Sequence, residues 1–221
     1  MTALAVFGCS WTAGDEVPME NTFGAKLATK LNSTEYVNLG IPSSSNSRSV
    51  LQLLDYVNRS GISLENSIAV FLITTPARDC VIPHNYERDP GCIIDLTSSY
   101  ADDPALTQSW VMHFSSDANV NFNLHKNVLS MQSICRQYGI RDYYMVGWSN
   151  VDLQLPGVDT AKIYDKSCVQ MFGYKDQWDF LNGPPNHYVL PHYHPSELGH
   201  ELIAQTLYNW ITEQTNVQPK I

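Results

Sequence analysis

The chain has 221 residues, 43% hydrophobic and 16% charged, with a formal net charge of −9. That is enough apolar material for one domain, 1–221, with a full core, and it excludes a disordered chain. The acidic balance without a basic stripe excludes a nucleic-acid partner and argues against an anionic membrane surface. No apolar run approaches the roughly 20 residues of a spanning helix. The N-terminus lacks a basic region followed by a long apolar one, so no secretory leader is expected and a cytoplasmic setting is. The five cysteines, Cys9, Cys80, Cys92, Cys135 and Cys168, are an odd set without tight spacing and are expected as reduced thiols. Only Cys80 and Cys92 bracket one loop.

Leu4 to Cys9 reads as a first strand, followed by a turn-like stretch from Ser10 to Asn21 containing Gly14, Asp15 and Pro18. Phe23, Leu27 and Leu31 give helical spacing over 22–31, with Asn21 as the expected cap. Tyr36 to Leu39 is a short second strand ended by Gly40. A serine-rich loop then enters a helix capped by Ser45, Asn46 or Ser47, with Val50, Leu51, Leu54 and Val57 as its apolar face. Ile68 to Ile73, the most apolar run, reads as a strand buried on both faces. Arg78 to about Asn119 has no clear period and reads as an insertion over the sheet's carboxyl edge. Leu124, Val128, Met131, Ile134 and Cys135 mark a helix over 121–138, ended by Gly139. Tyr143 to Trp148 is a further strand, and Ser149 to Pro191 is irregular and aromatic. A last helix starts near Ser196, with a frayed tail expected from Glu213. Strands alternating with helices imply a parallel sheet covered on both faces. Such sheets place sites beyond the carboxyl ends of their strands, where Ser10, Ser43 and Thr75 all fall.

Ser10 follows a buried strand and a small residue, a setting that delivers a hydroxyl to a sheet edge. It needs a base and oxyanion donors to act. The base candidate is His194, in His194-Pro195-Ser196-Glu197-Leu198-Gly199-His200, and the donor loop is Asn38 to Asn46. The blocks Gly8-Cys9-Ser10-Trp11-Thr12, Asn38-Leu39-Gly40-Ile41-Pro42-Ser43 and Pro191-His192-Tyr193-His194-Pro195 occur in this order, each in a strand-loop-helix setting. Together they resemble the SGNH hydrolases, also called GDSL-like esterases and lipases. The resemblance implies a flavodoxin-like three-layer α/β/α sandwich, with the irregular segments as insertions. It makes Ser10 the nucleophile and His194 the general base, then acid. It makes the N–H groups of Ser10 and Ser43 oxyanion donors, within a binding region that includes Gly40, Asn46, Thr75 and Arg78. The implied function is hydrolysis of a small ester, such as a carbohydrate O-acyl or O-acetyl group, with no metal or organic cofactor.

The chain departs from the family pattern at four places. Cys9 replaces the aspartate before the serine, and Ser43 replaces a glycine. The block after the third strand, Leu72 to Arg78, lacks the family's asparagine, leaving Thr74, Thr75 or Asn46 as substitute donors. Pro191 stands where an aspartate orients the histidine. A backbone carbonyl near Pro191 or His192, or a distant acid (Asp15, Asp79 or Glu197), is the expected replacement, giving a Ser–His dyad or a rebuilt triad.

Structural readings stand beside these. Ser10 can cap a helix, His194 can bond backbone at a helix entry, and Asn46 can serve as a cap. His200 reads as structural, and His187, His192, His194 and His200 fit no strong zinc pattern. Arg78 can recognise an anion or pair with an acid of the insertion. Trp110, Trp148 and Trp178 can line a pocket or fill a core. Two other functions remain open: a binding module with catalysis weak or lost, and an acyltransferase.

Overall fold

The computed structural model describes residues 3–59, 64–81, 94–96, 108–109, 116–148, 151, 153 and 156–217. Four parallel strands, β1 (Ala3–Gly8), β2 (Glu35–Gly40), β3 (Ile68–Ile73) and β6 (Arg141–Val146), form one sheet in the order β2-β1-β3-β6. A separate antiparallel pair joins β4 (Asp79–Val81) to β5 (Ile94–Leu96). The helices are α1 (Ser10–Ala13), α2 (Phe23–Lys30), α3 (Asn46–Asn58), α4 (Asp117–Tyr138), α5 (Cys168–Met171), α6 (Gln177–Asn182) and α7 (Glu197–Val217). Short 3-10 turns lie at Met19–Asn21 and Thr160–Lys162. The placement of β2, β1, β3 and β6 follows the flavodoxin-like order around a switch point beside β1.

The period of two along each strand divides the core into two layers. Leu4, Val6, Ile68, Val70, Leu72, Tyr143 and Met145 face α2, α5 and α7. Ala5, Phe7, Ala69, Phe71, Ile73, Tyr144 and Val146 face α3 and α4. On that second face Phe7 stacks on Phe71 at 4.7 Å and Phe71 on Tyr144 at 5.0 Å between ring centroids, tying three strands together. The result is the three-layer sandwich that the alternation of strands and helices predicts.

Several local expectations are corrected. Thr22, not Asn21, caps α2: its hydroxyl accepts from the Ala25 N–H, while Asn21 donates to Glu197. Of the three expected caps of α3, it is Ser45 that caps it, by accepting from the Arg48 N–H. The buried face of α3 is Asn46, Ser49, Leu53, Tyr56 and Val57, and Leu54 is exposed. The helix is rotated because Tyr56 packs edge-on against Phe7 and Asn46 is drawn inward to β3. Helix α4 begins at Asp117, with Ser116 as its cap. The turn-like stretch after β1 holds α1, and the irregular aromatic stretch holds α5 and α6. The tail is helical to Val217. Most of the 78–119 insertion, with Cys92 and Trp110, lies outside the described residues. Cys9, Cys80, Cys135 and Cys168 are free thiols, and burial pushes those of Cys135 and Cys168 well up.

Candidate active site

Gly8 ends β1 with φ +153°, a backbone that side-chain-bearing residues rarely adopt, and a Cβ there would meet the Thr12 hydroxyl at 2.3 Å. The chain then winds at once into α1, with Cys9 buried beneath it and Ser10 at its first position. Beside it, β2 ends at Gly40, where a Cβ would lie 2.2 Å from the Ala13 nitrogen. Gly40 therefore lets α1 lie against the end of β2. Asn38 fastens the same junction, donating to the Thr12 carbonyl and accepting from the Gly40 N–H. Gly40 is thus a packing residue at this junction, and its own N–H is already bonded to Asn38.

The loop after β2 crosses the end of β1. The Ile41 N–H and the Ser44 hydroxyl both donate to the Gly8 carbonyl, each at 3.0 Å. Between them Ser43 takes φ +62°, the left-handed conformation a glycine would adopt freely. Among the described residues, neither the Ser10 N–H nor the Ser43 N–H has a backbone acceptor. Asn46 is neither a cap nor a loose amide. Its side chain donates to the Thr74 carbonyl at 3.1 Å and accepts from the Thr74 N–H at 3.0 Å, clipping α3 to the end of β3. Thr75 is half-buried beside it. Arg78 donates to the Thr74 hydroxyl and has no carboxylate partner among the described residues.

His194 comes from the other end of the chain, on a tight loop. The Leu190 N–H donates to the His194 carbonyl, the Tyr193 N–H to the Leu190 carbonyl, and Val189 bridges Pro195. Tyr193 takes φ +65°, and its hydroxyl donates to the Leu181 carbonyl at 3.0 Å. Ser196 closes the loop by accepting from the Gly199 N–H at the start of α7, as an N-cap does. This geometry brings His194 Nε2 to 3.2 Å from Ser10 Oγ, across 184 residues of sequence.

Sequence reasoning missed two groups at this rim. Phe180 of α6 lies 5.8 Å from Trp11 and 5.6 Å from Tyr193 between ring centroids. One buried ring thus supports the neighbours of both Ser10 and His194. The second group is Glu16. Its Oε1 lies 2.6 Å from His192 Nδ1 and its Oε2 3.6 Å from His194 Nδ1. The hydrogen bond from His192 is the largest cause holding the Glu16 carboxyl below its ordinary value; burial opposes it, and the charges of His194 and His192 add to the lowering.

The expected replacements for the missing aspartate are not at the ring. Among the described residues no backbone carbonyl reaches His194 Nδ1, which is covered and lacks a hydrogen-bond partner there. Asp79 accepts from Ser47, Asn123 and the Cys80 N–H, and Glu197 accepts from Asn21. Among the described contacts none joins the Asp15 side chain to the ring, whereas its neighbour Glu16 approaches it. No sequence signal separates these two acids; the left-handed backbone of Glu16, φ +72°, turns its side chain to the histidines. The four histidines do not converge. His200 accepts the Phe23 N–H at 3.1 Å, and His187 packs on Tyr188. Among the described residues no three potential metal ligands cluster.

No protein-family model and no curated protein matches the chain by sequence. Solved structures match it by fold. A member of the lipolytic protein G-D-S-L family from Veillonella parvula aligns over 100% of both chains, with TM-score 0.50 and 12% identity. The psychrotrophic esterase EstA from Pseudoalteromonas sp. aligns over 97% of this chain and 98% of its own, with TM-score 0.54 and 11% identity. TesA aligns over 96% of this chain and 99% of its own, with TM-score 0.56 and 13% identity. The chain has the G-D-S-L, or SGNH-hydrolase, fold in a divergent form.

Proposed function

We propose that the protein is a serine hydrolase that cleaves a small ester by a Ser10–His194 mechanism. The 3.2 Å approach of His194 Nε2 to Ser10 Oγ carries the reading. A serine hydroxyl is a weak nucleophile until an imidazole takes its proton during attack. Ser10 Oγ adds to the ester carbonyl carbon as its proton passes to Nε2. The tetrahedral oxyanion is held by the N–H groups of Ser10 and Ser43, with Thr75 beside them. Such donors are each worth roughly 3–4 kcal/mol in hydrolases where one has been removed. Collapse breaks the bond to the alcohol oxygen, which takes the proton from His194. Water then repeats the cycle and frees the acid. In this reading Arg78, which donates to the Thr74 hydroxyl at the end of β3, meets the acyl or alcohol part, for which a carbohydrate O-acyl group is the proposed class.

A catalytically silent binding module is the second reading, favoured by Pro191 and by the unpartnered Nδ1 of His194. Hydrolysis of p-nitrophenyl acetate and butyrate by wild type, Ser10→Ala and His194→Ala decides between them. The hydrolase reading expects each variant to lose about 10³-fold or more in kcat, from the behaviour of serine triads. It also expects a serine-directed phosphonate to label wild type and not Ser10→Ala. Equal background rates in all three proteins, with no labelling, would leave the binding module.

A further inference from the structure

Pro191 has no carboxylate, yet the imidazole opposite Ser10 needs one proton fixed on Nδ1 so that Nε2 presents its lone pair to the hydroxyl. His194 Nδ1 is covered by protein and has no hydrogen-bond partner among the described residues. A covered N–H without an acceptor is costly, so this nitrogen marks where an acceptor belongs. The carboxylate facing it is Glu16, with Oε2 at 3.6 Å. This is beyond a hydrogen bond by a few tenths of an ångström, and such contacts tighten when substrate binds.

Glu16 is not a drifting surface acid. The N–H groups of Gly14 and Asp15 both donate to the Ser10 carbonyl, so the turn carrying Glu16 is tied to the nucleophile's own residue. The Val17 N–H donates to Gly14, closing that turn. The second carboxylate oxygen is held at 2.6 Å by His192, which leaves Oε2 directed at His194. Glu16 is one-third exposed and His192 is 78% exposed, so His192 acts from the solvent side and His194, 22% exposed, from the inside.

We infer that Glu16 is the positioning acid of this site: supplied by the nucleophile's loop rather than by the histidine's loop, it accepts from His194 Nδ1 and is itself steered by His192. The inference rests on the Ser10–His194 reading. No bond is made or broken at Glu16. Its carboxylate stays ionised, fixes the ring tautomer and balances the charge His194 gains while it holds the serine proton.

The test combines turnover with a signal that does not need turnover. With p-nitrophenyl acetate, Glu16→Gln is expected to lose about 10²-fold in kcat with KM within about twofold, less than the roughly 10⁴ of a fully buried triad aspartate because Glu16 is partly screened by water. His192→Ala is expected to lose less than Glu16→Gln. In wild type, proton NMR should show a downfield Nδ1–H resonance that disappears in His194→Ala and is lost or moved upfield in Glu16→Gln. Turnover that depends on Ser10 and His194 but is unchanged in Glu16→Gln, with the downfield proton retained, would overturn the role of Glu16 and leave the dyad standing. Turnover independent of Ser10 would instead overturn the hydrolase reading. The resonance alone, present in wild type and unaffected by Glu16→Gln, would still refute Glu16 in a protein without measurable activity.

Discussion

Ser43 occupies a left-handed backbone position at the rim of the site, φ +62°, although it carries a Cβ. That conformation costs a non-glycine residue about 1 kcal/mol, and a glycine would recover it while adding a similar entropy to the unfolded chain. Ser43→Gly is therefore expected to shift stability by less than about 1 kcal/mol, read from urea midpoints, and to keep the proposed hydrolysis, because the role proposed for Ser43 uses only its N–H. Ser43→Val is expected to lose both, since a β-branched residue fits this region worst. At this scale the sequence was readable where a residue type and its setting coincided. Ser10 after a buried strand and His194 before a proline and a helix are such cases, in that the fold brings the two side chains to 3.2 Å. It was opaque where geometry chooses among neighbours. Glu16 and Asp15 are adjacent acids in one turn, and a single dihedral angle sends the first to the histidines. Gly40 was legible as the end of a strand, but its close fit against the backbone of α1 was not, because that neighbour is fixed only by the fold.

Helix α6 has six residues and buries one of them, Phe180, yet that ring touches Trp11, Trp148, Tyr174 and Tyr193. Phe180→Ala should cost about 3–5 kcal/mol of stability by leaving a cavity among four rings. Residual folded protein should also turn over more slowly, because Trp11 and Tyr193 hold the segments of Ser10 and His194 through that ring. Phe180→Leu should retain most of both; thermal unfolding followed by kcat at a temperature where each variant is folded checks this. An element with one inward side chain has no period to detect, which is why α6 was hidden in an irregular stretch. Helix α3 was detectable and its face was not. Its apolar residues suggest one stripe, but Asn46 clipped to Thr74 and Tyr56 against Phe7 rotate it to another. The strands were the most readable elements, because burial on both faces leaves uninterrupted apolar runs such as Ile68–Ile73.

Across the whole molecule, the joint between α2 and α7 closes the layer that carries the His194 loop. The Phe23 N–H donates to His200 Nδ1, so that ring must stay neutral, and burial pulls its pKa down from 6.5 to about 4. The unfolded chain binds the extra proton between these values, so this contribution to stability is complete above about pH 6.5 and is lost as pH falls towards 4. Its full size is about 3 kcal/mol at 1.36 kcal/mol per unit. Tm should fall across that window in wild type and fall less in His200→Gln, whose amide oxygen still accepts from Phe23. Glu201, whose pKa is lowered by its hydrogen bond to Lys30, then one to Lys26, adds a loss only below its ordinary value of 4.5, which keeps the two effects separable. The alternation of strands and helices predicted the sandwich, but not this joint, since nothing in a helical pattern says that a histidine of one helix will accept from the first turn of another. His194 follows Ser10 by 184 positions in the sequence, and α7, which begins three residues beyond that histidine, packs against α2. Under the proposed mechanism the alcohol has no activating imidazole until these distant segments have docked. Hydrolysis should therefore be gained and lost with cooperative folding of the whole domain, not with the Ser10 segment alone.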